Sequence, residues 1–205
     1  MTPVTATIDF DAGAQPAGRE PAPGSLGLVQ AFVNTHYDLE HDHGAEVFSS
    51  PRALGAWLAE RGLVAPSLEL GRADLRAALD VREGLRAMLA ANNGAVLDAE
   101  AVERLNRAAR RPGIVIQFTA DGSPRFELAR HDLDAALAFL LAIVARSRLD
   151  GSWRRFKACP GDDCGWAFYD YSRNQASAWC SMAICGSRAK ARAYRRRNQR
   201  MRRRR

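Results

Sequence analysis

The first 158 residues of this 205-residue chain contain no cysteine. No apolar run approaches the roughly 20 residues needed to cross a bilayer, so no membrane partner is expected. Met1 to Glu20 holds a single basic residue, Arg19, and no long apolar stretch. It lacks the basic-then-apolar layout of a secretory leader, so the expected location is the reducing cytoplasm. The chain also lacks a P-loop, a G-x-G-x-x-G, a G-x-S-x-G and an H-E-x-x-H. With no catalytic constellation in view, no enzymatic activity is expected. There is no internal repeat, and no acid from Arg188 to Arg205.

The charge is divided unevenly. Residues 151–205 carry 15 Lys or Arg against three Asp, a net +12, and the preceding 150 residues carry 15 basic against 20 acidic residues, a net −5. A mildly acidic body joined to a strongly basic end places any polyanion contact in the C-terminal quarter.

All four cysteines fall in that quarter as C-x4-C-x15-C-x4-C: Cys159, Cys164, Cys180 and Cys185. Two close pairs of thiols in a reduced protein fit a structural, four-thiolate zinc site, with sulfur at roughly 2.3 Å from the ion. Two disulfides or four free buried thiols are the alternatives. A catalytic zinc normally mixes in His or carboxylate ligands, and no histidine lies in this segment. So small a module buries too little apolar surface to fold alone, which couples its folding to the metal.

The patterning gives a mainly α (α+β) chain. Residues 1–24, rich in Ala, Pro and Gly, read as a flexible lead-in, with Ile8 to Phe10 a candidate edge strand. Leu26, Val29, Phe32 and Val33 predict a buried helix toward Tyr37. A polar loop spans His41 to Ser50. Ser50 and Pro51 then open a helix with apolar Leu54, Trp57 and Leu58, stopped by Gly62. Asp74 to Asn92 is the strongest helix, followed by one capped by Asp98. Ile114–Thr119 and Arg125–Leu128 flank Asp121-Gly122 as a β-hairpin. His131 to Leu149, almost continuously apolar, predicts a central helix. Residues 25–150 therefore form an α-rich domain with one hairpin, and Asp150-Gly151-Ser152 joins it to a module over residues 151–205. In that module Trp166 to Tyr171 predicts a short aromatic strand and Arg188 to Met201 a helix. The apolar stripe Ile184, Ala191, Tyr194 and Met201 would dock that helix on the module.

The C-terminal motifs go together. Cys159-x4-Cys164, Phe168-x-Asp170-x-Ser172-Arg173-Asn174 and Trp179-Cys180-Ser181-Met182-x-x-Cys185-Gly186-Ser187-Arg188-x-Lys190 closely resemble the CGNR zinc finger. Ser187 stands where the Asn of the Cys-Gly-Asn-Arg tetrad is expected, and Ser remains able to cap a helix. The body resembles the ABATE domain that precedes this finger in stress-induced transcription regulators of bacteria. The matching parts are Phe32-Val33-Asn34-Thr35, Pro51-x-x-Leu54-x-x-Trp57-Leu58 and Val81-Arg82-Glu83-x-Leu85-Arg86. The resemblance implies Zn2+ on the four cysteines, in a treble-cleft-like or ribbon-like module ending in a basic helix. It also implies DNA, most simply duplex, as partner.

The basic helix offers Arg188, Lys190, Arg192, Arg195, Arg196, Arg197 and Arg200 to phosphates or base edges. Ser187 sits at its start, and Arg173 and Asn174 could form a second contact loop. Asn34 and Thr35 interrupt an apolar helix and could line a pocket for a small-molecule effector. A homodimer is the other route to regulation. His36, His41 and His43 lie among Asp38, Glu40 and Asp42, which read as a solvated loop rather than a metal site. The leading expectation is a DNA-binding transcription regulator; an RNA-binding or ribosome-associated zinc protein is the alternative.

Overall fold

The computed structural model describes residues 13, 15–36, 46–111, 113–162 and 164–202. The candidate strand Ile8–Phe10 and the run containing Asp38, Glu40, His41, Asp42 and His43 lie outside the described residues. Helices α1 (Leu26–Val33), α2 (Pro51–Glu60), α3 (Arg72–Ala91) and α4 (Ala99–Ala109) precede a hairpin of β1 (Ile114–Phe118) and β2 (Pro124–Leu128). Helix α5 (Leu133–Leu149) follows, then a second hairpin, β3 (Phe156–Ala158) with β4 (Ala167–Tyr169), a π turn (Met182–Gly186) and α6 (Ser187–Arg202). This is the expected α-rich body with one hairpin and a four-cysteine end closing in a helix.

Helices α1 and α5 form the centre because they have almost no polar face: Leu28, Val29, Phe32, Val33, Leu137 and Leu140 are fully buried. Phe32, Phe48 and Trp57 pack edge-on or tilted, with ring centroids 5.5–5.9 Å apart. Ser50 caps α2 as the sequence predicts, and Asp132 caps α5. Ser50 Oγ accepts from Ala53 N–H at 3.1 Å, and Asp132 Oδ1 accepts from Ala135 N–H at 2.9 Å. Helix α4 lies close on α3 at Gly84, where a Cβ would meet Leu105 Cγ at 2.7 Å.

A buried ionic network braces α3 against the chain after α1. Arg82, 3% exposed, bonds Glu46 through both terminal nitrogens at 2.7 Å and Glu83 through Nε at 2.9 Å. Arg86 reaches Glu83 and the Val33 carbonyl. Burial pushes the Glu46 carboxyl up, but the Arg82 guanidinium outweighs it and holds the group below the usual carboxylate range.

Two sequence expectations change. Asp150-Gly151-Ser152 does not separate two cores. Trp153, Phe156, Ala158, Ala167 and Tyr169 belong to the same apolar cluster as Leu28, Val33 and Leu140. The cause is strand alternation: Phe156 pairs with Tyr169 and Ala158 with Ala167, so one face of the β3–β4 hairpin enters the body core. The second change concerns the lead-in, whose described part is anchored. Pro16 and Ala22 are buried, Arg19 lies 4.5 Å over the Phe168 ring, and Tyr171 Oη donates to the Pro21 carbonyl at 2.7 Å.

Candidate metal centre and basic helix

The first cysteine pair sits in the turn of the β3–β4 hairpin. Cys159 N–H donates to the Trp166 carbonyl at 2.9 Å and Cys164 N–H to the Gly161 carbonyl at 3.0 Å. Gly165 follows Cys164 with a φ of 64°, which glycine adopts without strain. Gly161 lets the second pair approach, since a Cβ there would lie 3.2 Å from Cys185 Sγ. Of the second pair, Cys180 precedes the π turn and Cys185 lies within it; Ser181 caps the turn by accepting from Ile184 N–H at 3.3 Å.

The four buried sulfurs lie within 4.8 Å of one another. Cys180 Sγ is 3.7 Å from both Cys164 Sγ and Cys185 Sγ. A disulfide needs about 2.05 Å, so none of these is bonded. Sulfurs bound tetrahedrally at roughly 2.3 Å are about 3.8 Å apart along each edge of the tetrahedron. The cage fits zinc, with a thiolate from each of the four cysteines.

Its electrostatics demand a cation. Hydrogen bonds from Cys164, Cys180 and the backbone hold Cys159 down to about 2, so one thiolate forms readily. That anion and the burial push Cys164 up to about 12 and raise Cys180 and Cys185. Four thiolates coexist here only when a dication offsets them. Around the cage pack Trp166, Phe168, Trp179 and Ile184.

The outer face of β3–β4 carries a group missing from the candidates drawn from sequence. Lys157, 6% exposed, and Asp170, fully buried, form an ion pair at 2.8 Å. Lys157 Nζ also donates to the carbonyls of Gln175 at 2.6 Å and Ser177 at 3.0 Å, using all three of its protons. Asp170 accepts from Ser172 N–H, Ser172 Oγ and Ser177 N–H at 3.0, 2.6 and 3.0 Å. Burial raises the Asp170 carboxyl, but Lys157 and Ser172 override it and hold it down to about 2. The loop so fixed presents Arg173 and Asn174, both exposed. The place of Asp170 in the Phe168-x-Asp170-x-Ser172-Arg173-Asn174 motif was the available signal.

Helix α6 meets the module through the π turn, and Arg192 pairs with Asp162 at 3.2 Å. Arg188, Lys190, Arg195, Arg196, Arg197 and Arg200 are exposed. Of the expected apolar docking stripe, Ile184 packs on the cage, but Tyr194 is 58% and Met201 60% exposed. Ser187 does not cap a helix start either. The π turn runs straight into α6, so the cap falls at Ser181, and Ser187 Oγ donates to the Met182 carbonyl at 3.0 Å.

Asn34 and Thr35 are engaged by the chain rather than turned to a ligand. Asn34 brackets the Ala167 peptide, with Oδ1 accepting from its N–H at 2.7 Å and Nδ2 donating to its carbonyl at 3.0 Å. Thr35 Oγ1 donates to the Phe32 carbonyl at 2.8 Å and accepts from Arg82 at 3.2 Å. Other amides stitch the same seam. Gln30 reaches the Ala167 carbonyl at 3.0 Å. Asn92 donates to the Trp153 and Phe156 carbonyls, each at 2.8 Å. Asn93 donates to those of Ala158 and Ala178 at 2.9 and 2.8 Å.

Comparison with protein-family models matches residues 11–150 to ABATE, described as "putative stress-induced transcription regulator". The chain belongs to the ABATE family. Residues 155–198 match the CGNR zinc finger, so the four-cysteine cage of this ABATE protein is a zinc site. No curated protein matches the chain. The ABATE match contains Gln30, Asn34, Asn92 and Asn93, and the finger match contains their backbone partners Phe156, Ala158, Ala167 and Ala178. The seam is thus where the two matched regions meet. Among the described residues, no helix is long and apolar enough to cross a membrane.

Proposed function

We propose that this ABATE protein is a cytoplasmic, bacterial transcription regulator that binds duplex DNA and does no chemistry on it. The carrying observation is α6. It leaves the zinc ligand Cys185 directly, is exposed along most of its length, and bears six exposed basic side chains with no acid on the helix. An isolated helix of this length is marginal in water, so a polyanion along it adds the order that packing does not supply. The Arg173–Asn174 loop supplies a second contact from the same zinc-held body. Base edges suit Arg and Asn, and phosphates suit the helix. The body is the regulatory part in stress response, acting through an effector or self-association.

Zinc, when bound, supplies only the fixed geometry. The residues that contact nucleic acid are Arg173, Asn174 and the α6 cations. Zinc-loaded full chain is titrated against duplex DNA, single strands and structured RNA at fixed salt. Tightest binding is expected to the duplex. If all six exposed α6 cations meet phosphates, log K falls against log salt with a slope of about −5. Removing Arg188 to Arg205 abolishes binding and leaves zinc in place. Undiminished affinity of the truncated chain overturns the reading, and preference for structured RNA replaces it with the RNA-binding one.

A further inference from the structure

Strand β1 contains no charged residue, and among the described residues its outer edge is unpaired. At the two ends of the hairpin, Ala129 N–H donates to the Gly113 carbonyl at 2.9 Å and Thr119 N–H to the Ser123 carbonyl at 3.0 Å. In an antiparallel pair the cross-bonded residues alternate, so Val115 and Gln117 bond to β2 as well. Ile114, Ile116 and Phe118 therefore aim their N–H and C=O groups away from β2. Among the described residues, no strand but β2 pairs with β1. Ile116 is 60% and Phe118 72% exposed. Proteins blunt such edges with Pro or charge. Strand β2 carries Pro124, Arg125 and Glu127, but β1 has nothing of the kind.

We propose that β1 is the edge through which two copies of this chain associate, antiparallel, about a two-fold axis passing beside Ile116. The strand is its own complement in that register. Ile116 faces Ile116 of the second copy, and Ile114 faces Phe118. These are the residues whose backbone groups no described strand uses, so both requirements select one register. Ile114, Ile116 and Phe118 then fall on one face of a four-stranded sheet, β2-β1-β1-β2, with Phe126 beside Ile116 on each half, and Val115 lies on the other face. A slip of one residue would oppose inward- and outward-pointing backbone groups and send the apolar side chains to the wrong face. No charge on either β1 opposes the pairing, so a second copy fits better than a charged strand from elsewhere. Five-residue strands make a small contact, so the dimer is weak, with a dissociation constant on the order of micromolar.

The test is sedimentation equilibrium of the zinc-loaded full chain from about 1 µM to about 200 µM. The expected result is a monomer–dimer equilibrium that Ile116→Lys shifts to monomer throughout. Zinc content and helical circular dichroism stay unchanged, because the side chain is mostly in solvent. A second variant reads the register directly. Across a hydrogen-bonded antiparallel pair the Cα atoms are about 5.5 Å apart, within disulfide reach. Ile116→Cys should therefore cross-link two copies under mild oxidation, while wild type and Arg125→Cys do not. A monomer at every concentration, a dimer unaffected by Ile116→Lys, or equal cross-linking by Arg125→Cys each overturns the proposal. None of these readouts involves nucleic acid.

Discussion

Asp170→Ala isolates the device that holds the Arg173–Asn174 loop. The substitution removes four acceptor contacts, from Lys157 Nζ, Ser172 N–H, Ser172 Oγ and Ser177 N–H. It also leaves the ammonium of Lys157, 6% exposed, without its counter-charge. Breaking a buried pair by deleting one partner costs about 3–5 kcal/mol, against a whole-domain stability of roughly 5–15 kcal/mol. For a chain of this length that lowers the melting temperature by about 6–20 °C. The assay is scanning calorimetry of the zinc-loaded chain. Adding Lys157→Met removes the orphaned charge, and the double variant should recover at least about 2 kcal/mol of the loss. The pH dependence has a fixed sign. Asp170 titrates near 2 when folded and at about 3.9 when unfolded. Its contribution is therefore present above about 4 and is lost as pH falls toward 2. A melting point within about 3 °C of wild type, or a double variant less stable than Asp170→Ala, refutes the reasoning.

Two glycine substitutions should differ in cost. Gly113→Ala drives a Cβ to 2.5 Å from Ala135 Cα and 2.7 Å from the Asp134 carbonyl, both backbone, and should cost about 1–3 kcal/mol or more in urea unfolding. Gly186→Ala crowds Met182 Sδ and Cε at 2.6 and 2.8 Å and makes an ordinary contact with Trp179 Cδ1 at 3.5 Å. Met182 is 52% exposed and free to swing, so the loss should stay below about 1 kcal/mol. Asn93→Ala and Asn93→Asp should each cost about 1–3 kcal/mol, because both remove the donor shared by the Ala158 and Ala178 carbonyls. An Asn93→Asp variant of wild-type stability would show that the amide donates nothing there.

The body helices were legible because their apolar residues recur at helical spacing and two of them start at Ser50-Pro51 and Asp98. The first hairpin was legible from Asp121-Gly122. The cage was legible because four cysteines in two pairs have few other uses in a reduced chain. What escaped depends on contacts distant in sequence. Gln30 and Ala167 are 137 residues apart, and nothing local marks an amide as belonging to a seam rather than a pocket. The described part of the lead-in looked loose because Pro, Gly and Ala form no periodic face. Gln15 nevertheless holds it through side-chain bonds to Gln30 and Trp166. The α6 stripe misled for the opposite reason: Ala191, Tyr194 and Met201 recur at helical spacing but stay exposed.

The β3–β4 hairpin determines how the protein responds to loss of zinc. Its inner face, Phe156, Ala158, Ala167 and Tyr169, belongs to the body core. Phe168 on the outer face packs with the cysteines. A module standing apart would unfold as a unit when the metal is removed. Here the inner face keeps its apolar burial, and Asn34, Asn92 and Asn93 keep their bonds to the hairpin backbone. The second cysteine pair and α6 have no such support, because α6 reaches the rest of the chain chiefly through the π turn. Chelation, or Cys180→Ala, should therefore divide the C-terminal quarter. In hydrogen exchange, amides of residues 156–158 and 167–169 should retain most of their protection, while those of residues 180–202 exchange freely. Collapse of hairpin protection together with that of α6 would mean that the metal, not the body core, holds the hairpin. Zinc would then govern the body's own stability as well as the orientation of the basic helix.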